Sequence, residues 1–259
     1  MKHRGNPGQA LFRGLALLTA YVSVANAGSF TVNPVRLTLS ATQSVAAVTV
    51  KNVGEEATVI QLETSSWTQH DGQDVLESTT DILATPPILT IPPGASRIVR
   101  VGLRRAADPQ RELTYRMSLR EVPPPHPISQ GLRVALLISM PVFVVPPHIP
   151  EPQVEWRAIR LHDGNIQLQA RNIGQSHIQL GQLQILQAGD GAEVATRNMA
   201  DYLLPENGRE WTLMTKSAPP AGTLLSVTSI ADNGPLKASV KLEDESREAT
   251  PKTPGTAAR

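Results

Sequence analysis

The stretch GLRVALLISMPVFVVPP, residues 131–147, constrains the fold more than any other part of the chain. Side chains alternate along a strand, so Leu132, Val134, Leu136, Ile138 and Met140 share one face, and Arg133, Ala135, Leu137, Ser139 and Pro141 the other. Both faces are largely apolar. A strand of a two-layer domain normally buries one face and wets the other, so this one needs a second cover. Two covers are open on pattern alone: the strand's own domain, as for a central strand buried on both sides, or another molecule.

The rest of the chain is β-patterned as well. GSFTVNPVRLTLS, SVAAVTVKNVG, ATVIQLETSSWTQ, ILTIPPGASRIVRVGLR and ELTYRMSLREVPPP are short runs rich in Val, Ile, Leu and Thr, parted by Gly, Pro, Asn and Asp. There is no helical stripe of useful length. Such spacing predicts an antiparallel sandwich of about seven strands over 28–147, and the 22 prolines suit its turns and edges. After Pro146, Pro147, Pro150 and Pro152, a stiff connection, the pattern resumes in IQLQARNIGQSHIQLGQLQIL, EVATRNMADYLLPENGREWTLM and TLLSVTSIADNGPLKASVKLE. This predicts a second β-sandwich over 148–243 and a polar, disordered tail over 244–259. No sequence repeat links the halves.

Residues 1–27 are expected to be removed. Lys2, His3, Arg4 and Arg13 precede an apolar run from Gly14 to Val24, and Ala25-Asn26-Ala27 is a small-x-small cleavage pattern. The run is shorter than the roughly 20 apolar residues a membrane helix needs. The reading is a signal peptide cleaved after Ala27, an exported protein, and no membrane span in the mature chain. With no cysteine, its stability comes from packing. A formal net charge of +1 over 259 residues gives no electrostatic reason to invoke nucleic acid.

Several segments, in order, resemble the periplasmic pilus-assembly chaperones of the chaperone–usher pathway: VNPVRLTLS, TPPILTIPPGASRIVRV, YRMSLREVPPP, the 131–147 strand, then ARNIGQSHIQL, YLLPENGREW and SIADNGPL. The proline in MPVFV is similar to the archaic branch of that family. The resemblance implies an all-β chain of two immunoglobulin-like β-sandwich domains set at an angle, an L-shaped molecule. It implies a protein that binds fimbrial subunits, completes their fold by donor-strand complementation and delivers them to an outer-membrane usher. Strand addition with alternate side chains as anchors has its own physics, which pilin chaperones illustrate. The strand's second cover would then be a client.

On this reading Leu132, Val134, Leu136 and Ile138 enter successive subunit pockets. Full burial of each is worth roughly 1.5–3 kcal/mol, on the order of 6–12 kcal/mol gross for four. Arg36, in NPVRL, matches the family arginine that binds the subunit's C-terminal carboxylate, a task that suits a guanidinium fork. Two departures stand out. No basic residue occurs at Ser139, Met140 or Pro141, where many members carry a second cation, so its replacement is a backbone donor, the Ser139 hydroxyl or a base from another segment. Glu112 and Asp232 match the acidic members of an inter-domain ion network, but Val145 stands where the arginine between them would be. Either another base bridges them or packing holds the hinge.

Other chemistry is not indicated. His70, His126, His148, His162 and His177 lack metal-ligand spacing, so no metal or other cofactor is expected, and no nucleophile or phosphate-loop motif suggests an enzyme. The aromatic residues Trp67, Tyr115, Phe143, Trp156, Tyr202 and Trp211 read as core. The competing function is a secreted, two-domain immunoglobulin-like structural or adhesive surface protein. Self-association of the client-free form is left open.

Overall fold

The structure, a computed structural model, describes residues 30–123, 134–148, 151–215 and 219–245. The leader, Leu132 and residues 246–259 of the expected tail lie outside the described residues. All regular elements among the described residues are strands. In chain order they are β1 (Phe30–Asn33), β2 (Leu37–Ser40), β3 (Val45–Asn52), β4 (Thr58–His70), β5 (Gln73–Ser78), β6 (Ile82–Thr85), β7 (Ile88–Ile91), β8 (Ser96–Leu103), β9 (Leu113–Val122) and β10 (Leu137–Val145). They continue as β11 (Val154–Arg160), β12 (Ile166–Asn172), β13 (Ile178–Gln187), β14 (Glu193–Arg197), β15 (Asp201–Leu203), β16 (Gly208–Leu213), β17 (Leu224–Ala231) and β18 (Gly234–Asp244).

The N-terminal sandwich lays the sheet β1-β3-β8-β6 against β2-β10-β9-β4-β5, with β7 beside β4. Among the described residues it has ten strands, where the sequence suggests about seven. Proline explains part of the difference: Pro86-Pro87 and Pro92-Pro93 lack the N–H groups a ladder needs and cut one long apparent run into β6, β7 and β8. The first run also divides. β1 pairs with β3 in one sheet, and β2, beyond the cis Asn33–Pro34 bond, pairs with β10 in the other. Alternation sends Val48, Val50, Val99 and Val101 of one sheet and Leu39, Ile60, Met117, Leu119, Met140, Val142 and Val144 of the other into a single core.

Among the described residues the C-terminal sandwich is one eight-stranded sheet, seven strands in the path β14-β13-β17-β18-β11-β12-β16 and β15 off it beside β13. The long β18 turns the corner, antiparallel to β17 and parallel to β11. Its core gathers Leu168, Ile178, Leu180, Leu183, Ile185, Trp211, Leu225 and Leu242. β18 reaches Asp244, and the Glu245 N–H donates to the Arg160 carbonyl, so order extends into the first residues of the expected tail.

The halves do share a device that sequence comparison by eye passes over. Asn52 and Asn172 are both fully buried. The Asn52 amide donates to the carbonyls of Glu56 (2.7 Å) and Ile91 (2.9 Å) while its oxygen accepts from Gly54 N–H (2.8 Å). The Asn172 amide donates to Ser176 (2.7 Å) and Leu203 (3.2 Å) while its oxygen accepts from Gly174 N–H (2.9 Å). Asn-Val-Gly and Asn-Ile-Gly thus satisfy the same turn in both sandwiches, since a buried carbonyl left unpaired is costly. Gly174 is required by space as well: a Cβ there would lie 2.8 Å from the Gln153 nitrogen of the incoming linker.

Candidate functional site

β10 is sealed at one end and open at the other. From Met140 to Val144 every side chain is buried. Met140, Val142 and Val144 enter the N-terminal core, while Phe143 points to the other side and joins Trp67, Tyr202 and Leu204 in a separate apolar cluster. Tyr202 and Leu204 belong to the C-terminal half, so the second face of this part of β10 is covered by the chain's own second domain. Toward its start the strand changes. Leu137 is 50% exposed, Ser139 is exposed and Val134 is 59% exposed. Leu136 and Ile138 are partly buried against the N-terminal core. The row containing Val134, Leu136 and Ile138 is therefore the row that becomes core at Met140.

β9 holds this segment on one side, with Ile138 opposite Leu119, and Glu121 Oε2 accepts from the Leu136 N–H at 3.1 Å. Before β10 begins, the Leu136 carbonyl also accepts from Glu121 N–H at 2.9 Å.

Between the domains lies a compact ion network. Glu112, with a nearly sealed side chain, precedes β9, and its Oε1 is 2.7 Å from Nδ1 of His177, the residue before β13. The other ring nitrogen of His177 is 3.6 Å from Asp232 Oδ2, in the β17–β18 turn. His177 is the base that stands between the two acids. Its ring also stacks on Phe143, with centroids 3.5 Å apart and planes within 5°. Burial works against the charged imidazole, but hydrogen bonds to Asp232 and Glu112, together with their negative charges, outweigh it and raise the His177 pKa above its ordinary value. Burial likewise disfavours the Asp232 carboxylate, yet bonds from His177, the Gln179 N–H and Arg36 hold its pKa well below the carboxylate range.

Arg36 enters the same network. Its Nη1 is 2.7 Å from Asp232 Oδ2 and its Nη2 donates to Gln179 Oε1 at 3.1 Å. The Arg36 side chain remains 37% exposed. Arg36 also lines an open cleft of about 430 Å³ with Pro34, Thr38, Gln43, Ala47 and Arg100, so a basic residue from another strand, β8, stands near it.

The Gln69 side chain also ties the domains, donating to the Tyr202 carbonyl (2.8 Å) and accepting from Leu204 N–H (3.0 Å). Arg209 pairs with Asp74 there. The Arg116 guanidinium lies 3.8 Å over the Trp67 ring.

Residues 29–150 match the family model described as pili and flagellar-assembly chaperone, PapD N-terminal domain. The N-terminal domain of the chain is therefore similar to the N-terminal domain of the PapD-like chaperones. Solved structures agree on the fold. A chain of the chaperone–tip adhesion subunit pre-assembly complex from the archaic Csu pili of Acinetobacter baumannii is 17% identical with a TM-score of 0.60, covering 85% of this chain and 100% of that chain. The E. coli chaperone DraB is 22% identical with a TM-score of 0.57, at 82% and 97% coverage. A chain of the Salmonella enterica SafA pilin complex with the SafB chaperone is 15% identical with a TM-score of 0.57, at 83% and 97%. No curated protein matches the chain in sequence.

Of the residues singled out from sequence, the structure brings Arg36, Glu112 and Asp232 to one hinge and places Val134, Leu136 and Ile138 on one row. Sequence reading missed His177, Gln179 and Gln69. The signal for His177 was the missing cation between two acids, but histidines were weighed only as metal ligands.

Proposed function

We propose that this chain is a periplasmic chaperone that binds fimbrial subunits, completes their fold with a donor strand and hands them to an outer-membrane usher. The observation that carries this reading is the open end of β10, where an apolar row leaves the N-terminal core at Ile138 and Leu136 and continues exposed at Val134. A subunit lacking a strand would extend that core by taking up the row, Leu132 included, with backbone bonds for affinity and alternate side chains for register. Two of the solved structures are chaperone–subunit complexes, which supports the same use here.

In this proposal Arg36 receives the subunit's C-terminal carboxylate, and Glu112, His177 and Asp232 fix the domains around it. The signal peptide ends at Ala27, the N-terminal domain spans 28–147, the C-terminal domain begins after it, and the protein works in the periplasm. Release needs no nucleotide, because one subunit's strand can replace the chaperone's and bury equivalent apolar area.

The test is co-purification from periplasm with co-expressed candidate subunits, using tagged wild type, Arg36→Ala and Val134→Arg, with bound proteins identified by mass spectrometry. Wild type is expected to retain a small β-rich subunit that both variants lose, since Val134→Arg puts a charge into an apolar groove. Equal recovery by all three refutes the donor face and the anchor; no client with any favours the surface-protein reading.

A further inference from the structure

We propose that Asp232 is a resident carboxylate which occupies Arg36 in the client-free chaperone and competes with the incoming subunit's C-terminal carboxylate. The inference rests on the reading of Arg36 as the subunit anchor and adds regulation to that site. Three observations support it. First, Arg36 is already paired: Asp232 Oδ2 lies 2.7 Å from Nη1 and Gln179 Oε1 accepts from Nη2 at 3.1 Å, so both terminal nitrogens of the fork already hold a partner. A second carboxylate cannot share that fork without replacing one of these bonds or standing beside a like charge.

Second, Asp232 does not depend on Arg36. Its Oδ1 accepts from Gln179 N–H at 3.0 Å, its own N–H donates to the Gln179 carbonyl at 3.2 Å, and Oδ2 is 3.6 Å from His177 Nε2. When Arg36 leaves, Asp232 keeps one backbone donor and the imidazole, so no buried charge is stranded. Third, Arg36 has somewhere to go. It is the half-exposed member of the pair and borders the 430 Å³ cleft that Arg100 also lines, a place where a client carboxylate meets two cations. Arg36 then acts as a switch between domains: bound to Asp232 it ties β2's approach to the β17–β18 turn, and bound to the client it releases that tie while Glu112–His177 remains.

Acetate serves as the probe because it carries the relevant group alone. The full-length mature chaperone is titrated with acetate at constant ionic strength, and the Arg36 Nε–H resonance, assigned by its loss in Arg36→Ala, is followed by NMR; acetamide is the uncharged control. Asp232→Asn keeps the acceptor for Gln179 N–H, and Asp232→Ala is run beside it with thermal melts of both. Removing an exposed competing ion pair is expected to lower the acetate midpoint about two- to fivefold in both variants. An unchanged or raised midpoint, with Arg36 still responding, overturns the competition and leaves the anchor standing. No acetate response of Arg36 in any protein overturns the anchor and the competition with it.

Discussion

The two ends of β10 are built from the same residue types and do opposite things. Phe143, Val142 and Val144 are covered on both faces, one by the N-terminal core and the other by Tyr202, Leu204 and His177. A few residues earlier, Ile138 and Leu136 have partial cover from one side, and Val134 is exposed. Composition does not separate these halves. What separates them is the reach of the C-terminal domain, which docks against one end of the strand and leaves the other uncovered among the described residues. The lesson is that an apolar strand face reports a need for cover, while the domain arrangement decides who supplies it.

The largest effect is expected from breaking the sealed half. Phe143→Ala removes the ring on which His177 stacks and which fills the inter-domain cluster, and should cost about 3–5 kcal/mol in urea unfolding. The two sandwiches are then expected to unfold in separate transitions, where wild type unfolds in one. A single transition with a small loss would mean that the domains couple through Gln69 and the ion network alone.

Ile138→Ala probes the boundary, where the side chain is partly buried against its own core. A loss of about 1 kcal/mol is expected, smaller than the deep-core range because the site is already half open. A loss as large as that of Phe143→Ala would move the boundary between the two halves toward the start of the strand.

The charge network gives a pH dependence of definite sign. The raised His177 pKa means that its stabilising share is full below the ordinary imidazole value of about 6.5 and is lost as pH rises through the higher folded value. The depressed Asp232 pKa means that its share is full above about 4 and is lost as pH falls through the lower folded value. Domain coupling should therefore be strongest between those limits. The groups facing His177 are Glu112, Asp232 and the rings of Phe143 and Tyr202, with Arg36 beyond Asp232. In His177→Gln the loss of stability toward alkaline pH should vanish, as read from melting temperature across pH 5 to 9; a persisting slope would assign it to another group.

The smallest effect on stability belongs to Val134→Arg. An exposed site should change unfolding by less than about 0.5 kcal/mol, while the proposed client capture is expected to be lost. A destabilised Val134→Arg would show that the open half is covered within the chain after all.

The all-β fold was legible because period-two alternation and turn residues mark each strand locally. Strand number was less legible, since a ladder broken by Pro86-Pro87 and a run shared by two sheets at Pro34 look continuous in one dimension. Arg36, Glu112 and Asp232 could be singled out by the segments around them. Their mutual contacts could not, because the Arg36–Asp232 and His177–Glu112 pairs join residues of different domains and exist only once those domains dock. His177 adjoins a strand of ordinary pattern, and nothing local distinguishes it from His162. The twin asparagines were visible as Asn-x-Gly in both halves, yet the motif is too short to register as a repeat until its bonds are compared.

The parallel pairings of β10 with β2 and of β18 with β11 have a consequence for the order in which the chain matures. In each sandwich one of the first strands finds a neighbour in the last, so Leu37 must wait for Val142, and Ala158 for Leu242. A ribosome delivers these partners far apart in time. Each half therefore carries an unsatisfied strand edge for nearly its whole synthesis and closes only on its final strand. The protein that would shelter incomplete sandwiches passes through the same incomplete state twice while it is being made.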